Sequence, residues 1–425
     1  MVSPGSWFTF GGDFIYNSHM KMRKQLLFLF ILGALSLYAE NKRSYTWYGF
    51  VRNDFYYNSR QNEESLDGIF HFYPKPVVAT SAGADINAVP QAEMLSIATR
   101  IGLDIKGDEL YNTKVSAKLE MDFAGTGSTY FLMRIRQAYV RFDRKATGLL
   151  IGQTWHPLWG DVTPTVVSFN SGSPFQPFNR SPQIRLTHQL FKGLTLTGAA
   201  VWQMQTSSNG PLGFTPAYLK NSPIPNLVAG IQYAGTHLTA GSTLDYKRIR
   251  PETGFINSSM SAAAYLQYKN GLFCIKGKTV YGNNLADHIM LGGYGLYYDS
   301  SANRFGYTNL TASSSWINIV YGKTWQVGAF AGLHQNLGSV LPMLHQNAAG
   351  QYTVYGRGFY KEQQELLDRM VRIAPFVMHS INNFMFGVEY NLTLADYGKI
   401  QSNGRVLNPY TITNHRMVAT VVYNF

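Results

Sequence analysis

The sequence predicts an all-β protein: a transmembrane antiparallel β-barrel of 16 strands with both termini periplasmic. Three observations carry this. Apolar and polar residues alternate with a period of two over long stretches. Aromatic residues make up 14% of the chain and charged residues only 14%, where a soluble domain carries about 25% charged residues. Short turns alternate with long connections from one end of the chain to the other.

The chain opens with an export leader. Residues 20–24 read MKMRK, residues 26–37 (LLFLFILGALSL) form an uninterrupted apolar run, and Leu37-Tyr38-Ala39 places a small residue after it. A basic start, a short apolar core and a small residue at the cut are the layout of a secretory signal peptide, and the core is too short to span a bilayer stably. The expected organisation is an over-extended gene start at 1–19, a signal peptide at 20–39 and a barrel at 40–425 beginning near Glu40. Setting residues 1–39 aside removes Lys21, Arg23, Lys24 and Asp13, so the formal charge falls from +12 to +10. For an exported basic chain, anionic solutes and lipopolysaccharide are the expected partners and nucleic acid is not. Cys274 is the single cysteine, which excludes an intramolecular disulfide and a cysteine-based metal site.

The strands follow. In residues 95–106 one face is Leu95, Ile97, Thr99, Ile101, Leu103 and Ile105, and the other is Ser96, Ala98, Arg100, Gly102, Asp104 and Lys106. Residues 113–123 set Val115, Ala117, Leu119, Met121 and Phe123 against Lys114, Ser116, Lys118, Glu120 and Asp122. A period of two puts each set on one face of a strand, and tilted strands of about 9–11 residues cross a bilayer. Turns fall at 107–112, 143–148, 191–193, 234–236, 269–271, 321–323 and 380–383. Longer connections fall at 58–94, 124–130, 156–182, 205–225, 247–258, 282–310, 336–367 and 396–411. Seven turns and eight loops require sixteen strands. Residues 288–298 (HIMLGGYGLYY) look like a seventeenth, but bacterial single-chain barrels are even-numbered, so this segment belongs to the sixth loop. The chain ends on an alternating strand with a terminal Phe425, the kind of ending the barrel insertion machinery recognises. Sixteen strands leave an aqueous channel where eight would fill their own interior.

A charge facing lipid near the midplane costs about 2–4 kcal/mol, so charged strand residues should face the lumen. That places twelve bases inside: Arg52, Arg100, Lys106, Lys114, Lys118, Arg134, Arg136, Arg185, Lys276, Lys278, Arg372 and Arg416. Six acids accompany them: Asp54, Asp104, Glu120, Asp122, Asp245 and Glu389. Singly, such charges do no more than pair and hydrate the wall; collectively the excess points to an anion-favouring lumen. Arg134 and Arg136 share the inner face while Met133, Ile135 and Tyr139 take the outer, and Gln137 and His188 are polar groups on outward faces that need partners, as at a subunit interface. The third loop, 156–182, carries few charges besides Asp161 and Arg180 but holds Trp159, Phe175 and Phe178 beside Trp155, and is expected to fold inward. The pore-lining set is therefore Arg100, Lys118, Arg134, Arg136, Arg180 and Arg185.

Enzymatic readings are poor, and no catalytic residue, cofactor or metal ligand is expected. Gly322-Lys323-Thr324 resembles part of a phosphate-binding loop, but Ile317 stands where the earlier glycine is required. No histidine pair has the i, i+4 spacing of a zinc protease helix. His188 and Ser242 share the outward parity of a barrel phospholipase but sit on non-adjacent strands. Residues 360–370 (YKEQQELLDRM) suggest a helical turn in the seventh loop.

Several stretches resemble the DcaP-like trimeric porins and, more distantly, the phosphate-selective porins: 47–57 (WYGFVRNDFYY), 71–76 (HFYPKP), 99–107 (TRIGLDIKG), 134–142 (RIRQAYVRF), 152–160 (GQTWHPLWG) and 174–185 (PFQPFNRSPQIR). The likeness covers the first half best, and the order of the motifs carries the weight. It implies a sixteen-stranded homotrimer in the outer membrane of a Gram-negative bacterium that passes small anionic solutes such as dicarboxylates, with the third loop folded into the channel. Some members carry a heptad-bearing periplasmic segment before the barrel, whereas here residues 40–44 run straight into the first strand. The alternative function class is a non-transporting surface barrel, an adhesin or structural protein.

Overall fold

The computed structural model describes residues 43–125, 132–203, 206–301, 303–344 and 350–425, so the leader expected at 20–39 and the segment before it lie outside the described residues. Sixteen antiparallel strands form the wall. They are β1 (Ser44–Asn58), β2 (Arg100–Leu110), β3 (Thr113–Gly125), β4 (Leu132–Arg144), β5 (Thr147–Trp155), β6 (Arg180–Phe191), β7 (Leu194–Val201) and β8 (Asn226–Ala234). The second half comprises β9 (Leu238–Ile249), β10 (Asn257–Asn270), β11 (Phe273–Asn283), β12 (Arg304–Gly322), β13 (Trp325–Ser339), β14 (Glu365–Ile381), β15 (Phe384–Ile400) and β16 (Val406–Asn424). Each pairs with its neighbour in sequence, and β16 returns to β1 in the register Phe50↔Asn424 through Asn58↔Arg416. Phe425 completes the seam, exchanging two backbone hydrogen bonds of 3.1 Å with Gly49. Among the described residues the wall has no open strand edge, which a hydrocarbon surround requires because it offers backbone groups no other partner.

The seven expected turns are all present at one end of the barrel, and at the other end lie the connections L1 (59–99), L2 (126–131), L3 (156–179), L4 (202–225), L5 (250–256), L6 (284–303), L7 (340–364) and L8 (401–405). Outward positions of the wall are exposed and apolar: Ile317, Ile319, Val327, Leu333, Val377 and Val388 in the second half alone. Toward the turn end this belt closes on exposed aromatics including Tyr233, Tyr268, Phe273, Tyr321, Trp325 and Tyr423, the interfacial girdle of a transmembrane barrel. The segment 288–298 does contain a strand, Gly292–Asp299, but it pairs only with the extension of β12 beyond the wall and with Val354–Arg357 of L7. It roofs one side of the barrel, and the wall count stays even.

Three expectations are corrected by local geometry. First, residues 95–106 are not one uninterrupted strand. Gln91–Leu95 pairs with β1 from Asn58 to Asp54, β2 resumes at Arg100 opposite Phe50, and residues 96–99 bulge between them. One extra residue inverts the parity, so Leu95 and Ile97 are buried inside with Arg100 rather than lying on the outer face with Ile101. Second, the ladder between β3 and β4 slips between Glu120↔Gln137 and Met121↔Ile135, leaving Arg136 as the extra residue. Gln137 and Tyr139 therefore face the lumen, where the Thr154 hydroxyl donates to Gln137 Oε1 at 2.8 Å, and Arg141 and Asp143 join them. Third, residues 365–370 are not helical. They extend β14 against Lys399, Gly398 and Tyr397 of β15; cross-strand pairing overrides the helical propensity of Glu, Gln and Leu. For the same reason L8 shrinks to residues 401–405 between two strands that outgrow the membrane.

The outward belt is directly testable. Ile317 is 45% exposed and lies mid-strand, opposite Gly277 and Ala331. Ile317→Arg should lower unfolding stability in lipid vesicles by about 2–4 kcal/mol, while Thr195→Arg, placed on the inner face of β7, should stay within experimental error of the unmodified chain in the same denaturant titration.

Candidate functional site: a lumen crossed by two loops

The inner wall of β2, β3 and β4 carries an ion-pair ladder. Arg136 sits between two acids, its Nε 2.7 Å from Glu120 Oε1 and its Nη1 2.7 Å from Asp122 Oδ2. Arg134 grips Asp122 from the other side, at 2.7 Å through Nε and 3.1 Å through Nη2. Arg100 approaches Glu120 at 3.8 Å and stacks over the Phe50 ring. Lys118 pairs with Asp104 at 2.6 Å and donates to the Tyr48 hydroxyl, which in turn donates to Glu120. Arg180, at the start of β6, is fully buried over the Trp155 and Phe178 rings. The structure thus gathers Arg100, Lys118, Arg134, Arg136 and Arg180 on one side of the lumen. Arg134 and Arg136, counted from the sequence among the excess bases of the lumen, are both paired: the bulge at Arg136 places it between two carboxylates, and opposite charges on adjacent strands pair where little water competes.

The opposite wall does something different with its charges. L3, residues 156–179, leaves β5, runs across the lumen and returns to β6, its neck closed by the His156 N–H donating to the Asn179 carbonyl at 3.0 Å. Along the way Lys278 donates to the Trp159 carbonyl and to Gln176 Oε1, and Lys276 donates to the Thr163 carbonyl and the Thr165 hydroxyl. Glu389 accepts from the Val167 N–H at 2.6 Å and from the Ser168 N–H and hydroxyl at 3.2 and 2.5 Å. Arg52, paired with Asp54, donates to the Val167 carbonyl at 2.7 Å. Arg372 reaches the Ser173 carbonyl at 3.0 Å. Phe175 is fully buried against Phe330 and over Gly332, where an added Cβ would stand 2.6 Å from its ring. The Trp155 and Trp159 rings stack at 4.2 Å, with Phe178 edge-on to both.

Sequence reasoning missed L1. Its hairpin, Asn62–Ser65 with Phe70–Pro74, buries Phe70, Phe72 and Tyr73 in the same inner cluster as Phe175 and Phe178. Arg416 donates to the Gly68 carbonyl at 2.9 Å, Arg372 to the Phe72 carbonyl at 2.5 Å, and Tyr397 to the Pro74 carbonyl at 2.6 Å. The available signal was the apolar run FHFYP inside a long loop, which an exposed loop would not carry. Lys106 and Lys114 are exposed near the turn end and join neither group. His188 does lie outward, with its Nδ1 2.9 Å from the Thr147 hydroxyl on the neighbouring strand. Ser242 stands on β9, with β7 and β8 between it and β6.

What the loops leave is a gap on the β4–β10 side. A cavity of 510 Å³ lies there between L3 and the wall, lined by Arg141, Arg185, Thr187, Thr195, Thr197 and Gln232 among others, with Asp161 on the loop. Hydroxyls, an amide and two guanidinium groups make its lining largely polar. Arg185 is steadied by Gln183 Oε1 at 2.9 Å and by the Trp155 carbonyl.

No family model and no curated protein matches the chain. Solved structures do. The outer membrane channel DcaP of Acinetobacter baumannii shares the fold with a TM-score of 0.64 at 17% identity, over 90% of this chain and 97% of that one. An anion-selective porin from Comamonas acidovorans aligns with a TM-score of 0.51 at 11% identity, over 90% and 100%. The trimer form of OmpT, an outer membrane protein of Vibrio cholerae, gives 0.51 at 8%, over 90% and 99%.

Because Arg136 is buried between Glu120 and Asp122, its removal takes the 2.7 Å partner from each, leaving Asp122 to Arg134 and Glu120 to Arg100 at 3.8 Å. Arg136→Ala should cost about 3–5 kcal/mol of unfolding stability, measured by denaturant titration, whereas Arg185→Ala, whose partners are neutral oxygens, should cost clearly less. By fold, the chain is a sixteen-stranded transmembrane barrel of the porin type.

Proposed function

We propose that the chain is a porin of the Gram-negative outer membrane that lets small hydrophilic anions, dicarboxylates among them, diffuse passively past its third loop. The observation that carries the anion preference is the fate of five inward cations. Arg185, Lys276, Lys278, Arg372 and Arg416 bond to carbonyl, amide and hydroxyl oxygens, and none of them has a carboxylate within 4.0 Å among the described residues. Neutral oxygens hold these side chains in place without cancelling their charge. In a narrow lumen with low-dielectric walls that charge raises the local anion concentration. The structural neighbours, an outer membrane channel, an anion-selective porin and an outer membrane protein in a trimer form, support the same reading. The outward belt suits outer-membrane lipid and lipopolysaccharide, the C-terminal strand ending at Phe425 suits the barrel insertion machinery, and a homotrimer is the proposed assembly.

The test is the reversal potential across a planar bilayer under a KCl gradient. Chloride should be preferred over potassium, and Arg185→Ala should reduce the preference. The preference should also weaken as the salt is raised from 0.1 M to 1 M, since the Debye length falls from about 10 Å to about 3 Å. Potassium preference in the unmodified chain would overturn the anion reading.

A further inference from the structure

At the root of L3, three side chains from three separate segments converge in a buried pocket. His156 is the first residue of L3, Asp245 faces inward from β9, and His288 ends a short 3-10 turn in L6. All three are at most 2% exposed. His156 Nε2 stands 3.7 Å from Asp245 Oδ1, His288 Nε2 stands 3.9 Å from Asp245 Oδ2, and the ligating atoms of the three residues all lie within 4.8 Å of one another. None of His156 Nε2, Asp245 Oδ1 and the two ring nitrogens of His288 has a hydrogen-bond partner. Buried polar atoms are rarely left so, and here one from each of the three residues, His156 Nε2, Asp245 Oδ1 and His288 Nε2, belongs to a single cluster.

We propose that His156, Asp245 and His288 form a binding site for a divalent transition-metal ion of the zinc class. The donor chemistry is that of such sites: two imidazoles and a carboxylate, leaving a fourth position open. Zinc–ligand bonds of about 2.0–2.2 Å in a tetrahedron separate neighbouring ligand atoms by roughly 3.3–3.5 Å; the imidazoles stand 3.7 and 3.9 Å from the two oxygens of the Asp245 carboxylate and all three donors lie within 4.8 Å of one another, so binding requires the cluster to contract around the ion. The charge balance points the same way. Lys247 is bonded to Asp287 at 2.7 Å and to the Asn284 carbonyl, which neutralises Asp287. Asp245 has no lysine or arginine within ion-pair distance among the described residues, and a buried carboxylate without a cation is costly. His156 also lines the 510 Å³ cavity, which gives an ion a way in from the lumen.

Occupancy has a structural consequence. The Leu158 N–H donates to His156 Nδ1 at 3.1 Å, which puts the proton of the neutral ring on Nε2. Coordination through Nε2 displaces that proton, and a neutral ring then carries its proton on Nδ1, where it conflicts with the Leu158 N–H. The ion therefore shifts the turn Pro157–Trp159 and with it the start of L3. The Phe178 N–H and the Asn179 amide already bond to the His288 and Asp287 carbonyls, both at 2.8 Å, so the ion would bridge L3, L6 and the wall at one point.

The test uses the full chain in detergent, stripped with a chelator, dialysed against Zn²⁺ and analysed for metal. One zinc per chain is expected to survive gel filtration. His288→Ala and Asp245→Asn should each weaken retention at least tenfold, and His188→Ala, on the outer face, should leave it unchanged. Heat-modifiable mobility on a denaturing gel reports whether each variant is folded. X-ray absorption at the zinc edge of the unmodified chain is independent of every variant and should show imidazole scattering from two ligands. Failure of the unmodified chain to retain zinc, retention by folded His288→Ala equal to that of the unmodified chain, or an edge spectrum without imidazole overturns the site. A pair of imidazoles merely donating to Asp245 would produce the first of these results.

Discussion

Hydrocarbon offers a polar group nothing to bond to, and the rest of the structure follows from that constraint. It closes the sheet, so that the last residue must pair with Gly49 near the start of the first strand. It also sorts side chains by face, sending nearly every charge on the wall into the lumen. A barrel this wide has room for them, but crowded like charges need partners. On the β2–β4 wall the partners are carboxylates, Glu120 and Asp122 for three arginines and Asp104 for Lys118. On the wall from β11 round to β16 they are the backbone and side-chain oxygens of L1 and L3.

The two solutions divide the labour of the pore. Carboxylate pairing offsets most of the charge on one wall, three acids against four cations. Carbonyl bonding fixes the loops across the other side, so the same cationic side chains that face the lumen also hold L1 and L3 in place. Glu389 does the reverse, accepting from L3 amides and the Ser168 hydroxyl, and so adds a negative contact among the positive ones. Aromatic packing around Phe175, Trp316 and Phe330 fills what the polar contacts do not. The remaining space lies on the β4–β10 side, where threonine hydroxyls, Gln232, Arg141 and Arg185 line the cavity.

The architecture was legible in the sequence because its signals are periodic and local. Alternation, turn positions and the even strand count depend on short stretches, and they placed every turn. Bulges are not periodic. One residue at Arg136 and one among residues 96–99 reversed the faces of Gln137, Tyr139, Leu95 and Ile97, and nothing in a single sequence marks such slips. Pairing was equally invisible: Arg134 and Arg136 were placed on the inner face, but the carboxylates between them come from the neighbouring strand through a shifted register. The inward course of L1 was missed because a long loop reads as solvent-exposed unless its apolar run is weighed against that. His156, Asp245 and His288 have no spacing to recognise at all, since they meet only once L3 and L6 have folded against β9.

The central claim is that a water-filled path passes beside L3, and the single cysteine supplies a reporter for it. Cys274 is half-buried on the inner face of β11 and lines the lumen near the turn end, beside Lys276 and Lys323. The most direct measurement is single-channel current in a planar bilayer during addition of a negatively charged methanethiosulfonate reagent. Discrete conductance steps should appear, the reagent should lower them irreversibly, and Cys274→Ser should conduct in the same way without responding. A chain that inserts into the bilayer but carries no current, or whose current is untouched while Cys274 is fully modified, would contradict a conducting lumen beside the loop.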